Sequence, residues 1–259
     1  MASLELRVNV LQALAIFAAG IAAGTVNTIV GSGTLLTFPV LLGFGYAPVI
    51  ANVSNTVGLV PGSASGAVGY RHELAGQGRR MAPLMCASFT GAVIGAVLLL
   101  SLPASAFKAI VPAFIALALV LIVLQPRLTL ILERRRGHRG RIDRAGPLAT
   151  LGVLIGGIYG GYFGAAQGIM VLAILSLSID DDLQRLNAVK VVLAGLANLV
   201  SGLVFIFAAH VAWAPAALIA GGSVLGGALG ARVGRRLSPA VLRAVIVVIG
   251  TAAIVKLVA

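Results

Sequence analysis

Acidic residues are scarce in this sequence. Seven Asp and Glu stand against 19 Lys and Arg, and charged residues make up only 10% of the chain. All seven acidic residues fall in predicted loops or at the ends of apolar segments, which argues against a proton relay or cation site within a membrane segment. No paired-carboxylate, metal-ligand or Ser/His/Asp pattern is found. We therefore expect no catalytic residues, no metal and no cofactor.

Cysteine is almost absent as well. The single Cys86 can form neither an internal disulfide nor a multi-cysteine metal site. Because it lies in an apolar segment, we expect it to be a packing residue.

Apolar residues, by contrast, dominate the composition. They make up 59% of the 259 residues, and the mean hydropathy is +1.07. A soluble domain of this size could not bury so much apolar surface. Several runs reach the roughly 20 residues that a helix needs to cross a bilayer, and the alternation typical of a β-barrel is missing. The sequence predicts an all-α polytopic protein, which we place as a multi-pass protein in the cell inner membrane.

The apolar runs divide the chain into about 8–10 membrane segments. The run from Val8 to Val30 leads directly into further segments, so we interpret it as a membrane segment rather than a signal peptide. The second and seventh runs are too short to span easily and follow glycine-bearing breaks, which predicts half-length or re-entrant helices. The runs lie near residues 8–30, 34–46, 49–70, 82–101, 106–125, 147–165, 168–179, 186–209, 213–232 and 239–258.

An internal repeat is suggested when the chain is compared with itself at an offset of about 135 residues. The order of long and short segments then agrees, which predicts a first repeat over 1–125, a basic linker over 126–146 and a second repeat over 147–259. This offset places Gly31-Ser32-Gly33 on Ala166-Gln167-Gly168, Asn52 on Asn187, and Asn55 on Lys190.

The arginines indicate the topology. The formal net charge is +12, but most basic residues are Arg in short clusters between apolar runs, a pattern of membrane topology rather than of nucleic-acid binding. All clusters fall on one side if each half crosses the membrane an odd number of times. Two such halves in tandem have opposite orientations, the inverted-repeat plan of many secondary transporters. The clusters are Arg71 with Arg79 and Arg80, seven Arg between 127 and 144, Arg185, and Arg232 with Arg235 and Arg236.

Lys190 lies inside the eighth apolar run, where a cation is costly unless it meets water, an anion or protein dipoles. In one interpretation its amine snorkels to the cytoplasmic interface. In the other it binds an anion. Lys190 and Asn187 stand three residues apart, as do Asn55 and Asn52, so each pair shares one helical face.

The glycine breaks are the second candidate site. The N-terminus of a half-helix exposes free backbone N–H groups and a positive dipole end, which can hold an anion. The residues concerned are Gly31, Ser32, Gly33 and Thr34 in the first half and Gln167 and Gly168 in the second. The alternative is that these glycines only permit tight turns and close helix packing.

Two stretches resemble a known family. The runs GIAAGTVNTIVGSGTLLTFP from Gly20 and ANVSN from Ala51, with Tyr70-Arg71, resemble the first-half signature of the TauE/SafE sulfite-exporter family. GGYFGAAQG, RLNAVK from Arg185 and NLVSGLVF from Asn198 are similar to its second-half motif. The resemblance implies a permease of sulfite, organosulfonates or related sulfur anions. Where family members often have three consecutive glycines, this sequence has Ala165-Ala166-Gln167-Gly168, so a side chain is expected in the presumed site.

These observations favour a secondary transporter of a small anion that works by alternating access. A passive anion channel would share the topology. A non-transport membrane assembly protein is the third alternative, although no large soluble domain accompanies the apolar segments. The expected partners are the anion and the lipid bilayer, with no nucleic acid, and a homodimer is compatible with the sequence.

Overall fold

The structure, a computed structural model, describes residues 8–135, 145–233 and 239–258. These ranges form helices and connecting turns with no strand, so the all-α prediction is confirmed. The helices are α1 (Val10–Ile29), α2 (Thr34–Gly43), α3 (Pro48–Gly69), α4 (Arg71–Leu74), α5 (Gly78–Ser101), α6 (Ala104–Arg135), α7 (Pro147–Tyr162), α8 (Gln167–Ser178), α9 (Leu183–Ala208), α10 (Trp213–Val233) and α11 (Pro239–Val258).

Ten of these helices correspond to the ten apolar runs, and the short α4 adds one turn between two of them. α6 is longer than predicted, because it continues through Pro126 to Arg135 instead of ending near 125. Leu, Glu and Arg after the proline favour a helix, although the charged Glu and Arg do not suit a membrane segment. The predicted linker therefore begins as a helix, and its part at 136–144 lies outside the described residues.

Within the described residues, five helices are long and apolar enough to cross a membrane on their own. Large apolar side chains such as Phe207 and Leu148 face outward, 87% and 75% exposed, as a helix surrounded by lipid requires. Cys86 is also exposed, which corrects its expected packing role, since an apolar run alone does not reveal its inward face. The five spans are Val10–Ile29, Gly78–Ser101, Ala104–Arg127, Leu183–Ala208 and Trp213–Arg232.

Small residues allow the helix backbones to approach closely. A methyl group added at Gly20 would lie 2.9 Å from the Ile219 carbonyl oxygen of α10, and one at Gly95 would lie 2.8 Å from the Tyr162 nitrogen of α7. The α7 glycines that face α5 are Gly157 and Gly161. Gly156 and Gly160 face α8 instead.

Equivalent helix pairs occur in the two halves. α1 packs along α10 as α7 packs along α5, and α3 packs along α10 as α9 packs along α5. α2 lies beside α1 as α8 lies beside α7. The helix contacts therefore keep their pattern when the halves are exchanged.

The described arginines mark one end of the bundle, here called the basic end and defined by Arg71, Arg80, Arg185 and Arg232. Asp181 joins two of them, because its carboxylate lies 2.5 Å from Arg80 Nη2 and 3.1 Å from Arg185 Nε. Gly69 at the end of α3 meets Ala231, next to Arg232. The ion pairs thus join the start of α5 to the turn before α9, and the Gly69 contact joins the ends of α3 and α10.

The two short helices turn back toward opposite ends. α1 runs parallel to α10, which ends at the basic end, and α2 folds back along α1, with Gly33 against Ala23 and Asn27. α7 runs parallel to α5, which starts at the basic end, and α8 folds back along α7. The α1–α2 and α7–α8 hairpins thus enter the bundle from opposite ends. The inverted-repeat relationship itself stays a prediction.

The Asp181 ion pairs should give the protein an acid-sensitive contribution to stability. Partial burial alone would raise the pKa of Asp181, but hydrogen bonds from Arg80, the Asp182 N–H and Arg185 outweigh it and lower the pKa below 3.8. A carboxyl with a lowered folded-state pKa stabilises above its unfolded pKa, and this contribution disappears as the pH falls through the folded value.

We expect Asp181→Asn to lower the free energy of unfolding by about 1–3 kcal/mol. The change should appear as a lower melting temperature in detergent at pH 7. The difference from the wild type should persist at about pH 5, shrink below the usual carboxyl pKa and vanish below the lowered folded-state pKa of Asp181. Asp180→Asn is the matched control, since its carboxyl makes neither ion pair. An equal, pH-independent loss in both variants would contradict the prediction.

Candidate functional site

The two helix breaks have the same backbone conformation. Gly31 and Gly164 both have positive φ, 89° and 77°. Each donates its N–H to the carbonyl five residues earlier, Gly31 to Val26 and Gly164 to Tyr159, both at 3.0 Å. Both helices therefore end in the same way, with a hydrogen bond to the carbonyl five residues earlier donated by a glycine in a backbone conformation that other residues rarely adopt.

This match corrects the predicted register at the breaks. Gly31 corresponds to Gly164, an offset of 164 − 31 = 133, and not to Ala166 as the uniform offset of 135 implied. The offset of 135 holds again where α3 starts at Pro48 and α9 at Leu183. The reason is that α8 has 12 residues and α2 only 10, so two extra residues enter the second half after its break.

The two breaks touch each other. The Gly168 N–H donates to the Gly31 carbonyl oxygen at 3.1 Å. A methyl group on either glycine would lie 2.5 Å from the Cα atom of the other. The 12 residues of α8 span about 18 Å at 1.5 Å each, which places this contact well inside a bilayer core of about 30 Å.

Lys190 is fully buried beside this contact. Its Nζ donates to the carbonyl oxygens of Asn27 and Thr28, both at 3.2 Å, in the last turn of α1. The ammonium therefore does not snorkel to the interface. It neutralises the negative end of the α1 dipole and uses two of its three donors there.

Asn187 and Asn52 make matching contacts across the halves. Asn187 Nδ2 donates to the Thr28 carbonyl oxygen at 3.4 Å, at the end of α1. Asn52 Nδ2 donates to the Tyr162 carbonyl oxygen at 3.0 Å, at the end of α7. Each half thus caps the broken helix of the other, which joins the two halves at the breaks.

Asn55 is tied to the start of α2. Its Nδ2 donates to Thr34 Oγ1 at 3.2 Å, and its Oδ1 accepts a short hydrogen bond from Thr37. Asn55 and its predicted repeat partner Lys190 therefore bind opposite ends of the first break, the start of α2 and the end of α1.

Gln167 supplies the side chain expected in place of a glycine. It is buried and lies against Gly160 of α7, where an added methyl group would overlap its carboxamide. Gly160 therefore makes room for Gln167, and the carboxamide packs between α8 and α7.

Several buried polar atoms around the breaks have no hydrogen-bond partner within the described chain. Buried polar groups are nearly always paired, so unpaired ones indicate a place for water or a polar ligand. Those at the breaks and the helices flanking them are Ser32 Oγ, Asn52 Oδ1, Tyr162 Oη, Gln167 Nε2 and Asn187 Oδ1.

All ten predicted site residues are buried, so this conformation closes the junction to water from both ends. The first helical hydrogen bonds of α2 are donated by Leu35 and Leu36, which leaves the Gly33 and Thr34 N–H groups before the helical ladder. The structure brings together Gly31, Gly168, Lys190 and Asn187, and links Asn55 to Thr34.

Sequence reasoning missed Asn27, Thr28 and Tyr162, whose carbonyl oxygens receive the capping hydrogen bonds. The polar pair Asn27-Thr28 in an apolar run was the available signal for the first two.

This arrangement, an all-α bundle with broken helices that meet around buried polar groups in the membrane, defines a polytopic membrane protein of the kind found among secondary transporters. The chain belongs to the sulfite exporter TauE/SafE family, whose pattern it matches over residues 16–257. The family is one of membrane transporters.

Curated relatives cover nearly the whole chain. It is 29% identical to a probable membrane transporter protein of Haemophilus influenzae over 238 residues, 90% of this chain and 89% of the relative. It is 28% identical to probable membrane transporter protein ORF9 of Sinorhizobium sp, covering 94% of this chain and 91% of that one. The probable membrane transporter protein YfcA of Escherichia coli K12 is 27% identical, with 93% and 88% covered. No solved structure matches the chain.

Proposed function

We propose that this protein is a secondary transporter that moves a small anion across the cell inner membrane, most simply sulfite, an organosulfonate or a related sulfur-containing anion. The observation that carries the proposal is the junction of the two breaks, where the side chain of the buried Lys190 reaches the end of α1 and passes the start of α8. Backbone N–H groups at a helix start and a cation both favour an anion.

Each candidate residue has a role in this proposal. Lys190, the N–H groups of Gly33 and Thr34, and the unpaired side-chain Nε2 of Gln167 supply positive potential. Gly31 and Gly168 let the breaks approach each other, while Asn52, Asn55 and Asn187 hold the helix ends in place. Ser32 contributes a buried hydroxyl with no partner in the described chain.

Alternating access follows from the way the hairpins enter. Since each hairpin comes from a different end and the two hairpins meet at the breaks, a rocking motion about the breaks would open one end at a time. The ion pairs of Asp181 link α5 to the turn before α9 at the basic end, and the positive-inside rule supports a cytoplasmic position for this end. A closed junction favours this carrier over a passive channel, which needs a continuous water path when open.

The proposal is tested by uptake into proteoliposomes. Purified protein is reconstituted, and the uptake of labelled sulfite, sulfate, thiosulfate, a C2 sulfonate and an unrelated carboxylate is measured with and without a pH gradient. We expect saturable uptake of at least one sulfur anion and none of the carboxylate. Flux that does not saturate would indicate a channel, and no flux of any sulfur anion would overturn the proposed substrate class.

A further inference from the structure

We infer that the transported anion carries at least one hydrogen-bond donor of its own, an O–H or N–H group. The inference rests on the proposed function, because it concerns the same site. It follows from the carboxamide of Asn187, which is buried next to the ammonium of Lys190 and has one end without a partner.

The orientation of this carboxamide is fixed by its neighbour. The Thr28 carbonyl oxygen can only accept a hydrogen bond, so the end of the amide that faces it at 3.4 Å must be the NH2 group. The other end is then Oδ1, an acceptor. Asn187 is only 6% exposed, and this oxygen meets no donor within the described chain.

The acceptor lies beside the groups proposed to hold the anion. Asn187 Nδ2 and Lys190 Nζ donate to the same Thr28 oxygen, at 3.4 and 3.2 Å, so the carboxamide and the ammonium are neighbours. The Lys190 side chain also passes Gly168, where an added methyl group would lie 2.9 Å from its Cδ. Cation, helix start and unpaired acceptor therefore share one small space.

An anion that only accepts hydrogen bonds would satisfy the ammonium and the N–H groups but not this oxygen. A fully deprotonated oxyanion is such a ligand. Its binding would leave Asn187 Oδ1 buried without a hydrogen-bond donor. A monoprotonated oxyanion, or a sulfonate with an amino or hydroxyl group, would satisfy both kinds of group. Sites built around a buried hydrogen-bonding group discriminate strongly against ligands that leave it unpaired.

Asn52 repeats the feature in the other half. Its Nδ2 donates to the Tyr162 carbonyl oxygen, and its Oδ1 is likewise buried without a partner in the described chain. Its neighbour one turn on is Asn55 rather than a cation, so we assign recognition of the donor to Asn187 and not to Asn52.

Two monoanions of nearly equal size test the inference. Sulfamate and methanesulfonate differ only in an NH2 group in place of CH3. Their inhibition constants are measured against uptake of labelled sulfite in proteoliposomes, with unlabelled sulfite as the positive competitor. We expect sulfamate to inhibit at least about tenfold more strongly than methanesulfonate. Bound methanesulfonate would leave the buried Asn187 Oδ1 unpaired, and this loses more binding free energy than a typical hydrogen bond contributes.

Asn187→Ala identifies the residue responsible. The variant should bring the ratio of the two inhibition constants close to one, and this ratio does not depend on how much protein folds. Equal inhibition in the wild type, or no inhibition by sulfamate where sulfite competes, overturns the inference but leaves the anion transporter intact. A preference that survives in Asn187→Ala overturns the role of Asn187. Absence of saturable sulfite uptake counts instead against the proposed function.

Discussion

Alanine in place of Gly168 should abolish transport while the protein still inserts into the membrane. The added methyl group would lie 2.5 Å from the Gly31 Cα atom and 2.9 Å from Lys190 Cδ. The first of these is backbone, so the two breaks must separate. Overpacking of this kind costs typically about 1–3 kcal/mol, and it falls where the proposed site requires the breaks to touch.

A matched control is available on the α1–α2 hairpin. Gly43 ends α2, and a methyl group there would meet nothing within 4 Å. Gly43→Ala should therefore transport like the wild type, with both variants compared at equal membrane abundance. If Gly168→Ala retains wild-type uptake of labelled sulfite, close approach of the breaks is not needed for transport.

The large features of this fold could be predicted because the lipid bilayer restricts which sequences can form a membrane-spanning helix. A spanning helix needs a long apolar run, and a short run after a glycine break cannot span. The ten runs and the two half-length helices α2 and α8 follow from these two facts alone. The end of α6 could not be placed, because Pro126 is a weaker signal than the helix-forming residues that follow it.

The details of the junction needed the tertiary structure. The capping of α1 by Asn187 joins residues 159 positions apart, and that of α7 by Asn52 joins residues 110 apart. No local pattern contains such pairs. The uniform repeat offset failed at Gly164 because α8 has two residues more than α2, so the offset is 133 at the breaks and 135 where α3 and α9 begin.

Lys190 was found from the sequence because a cation in an apolar run is rare. The contacts of Lys190 could not be predicted from the sequence, and they add a structural role to its proposed role in anion binding. The ammonium caps α1 through the Asn27 and Thr28 carbonyl oxygens, so its removal must affect folding as well as anion binding. A useful experiment has to separate these two effects.

We expect Lys190→Gln to weaken sulfite binding in detergent by roughly 10- to 150-fold, the equivalent of one charge-assisted hydrogen bond of about 1.5–3 kcal/mol. Lys190→Arg keeps the charge and should be intermediate, because a planar guanidinium does not fit the space of a compact ammonium. Both variants should also melt at a lower temperature than the wild type, since the cap on α1 is lost or distorted.

Ser88→Ala separates affinity from stability. Ser88 is buried and donates to the Leu193 carbonyl oxygen of α9 at 2.9 Å, away from the breaks, so its loss should lower the melting temperature without changing the Kd for sulfite. If Lys190→Gln behaves like Ser88→Ala, with a lower melting temperature and an unchanged Kd, the lysine only caps α1 and does not bind the anion. A weakened Kd in Lys190→Gln alone, with partial recovery in Lys190→Arg, would place the third donor of the ammonium on the substrate, because only the positive charge is common to lysine and arginine and absent from glutamine.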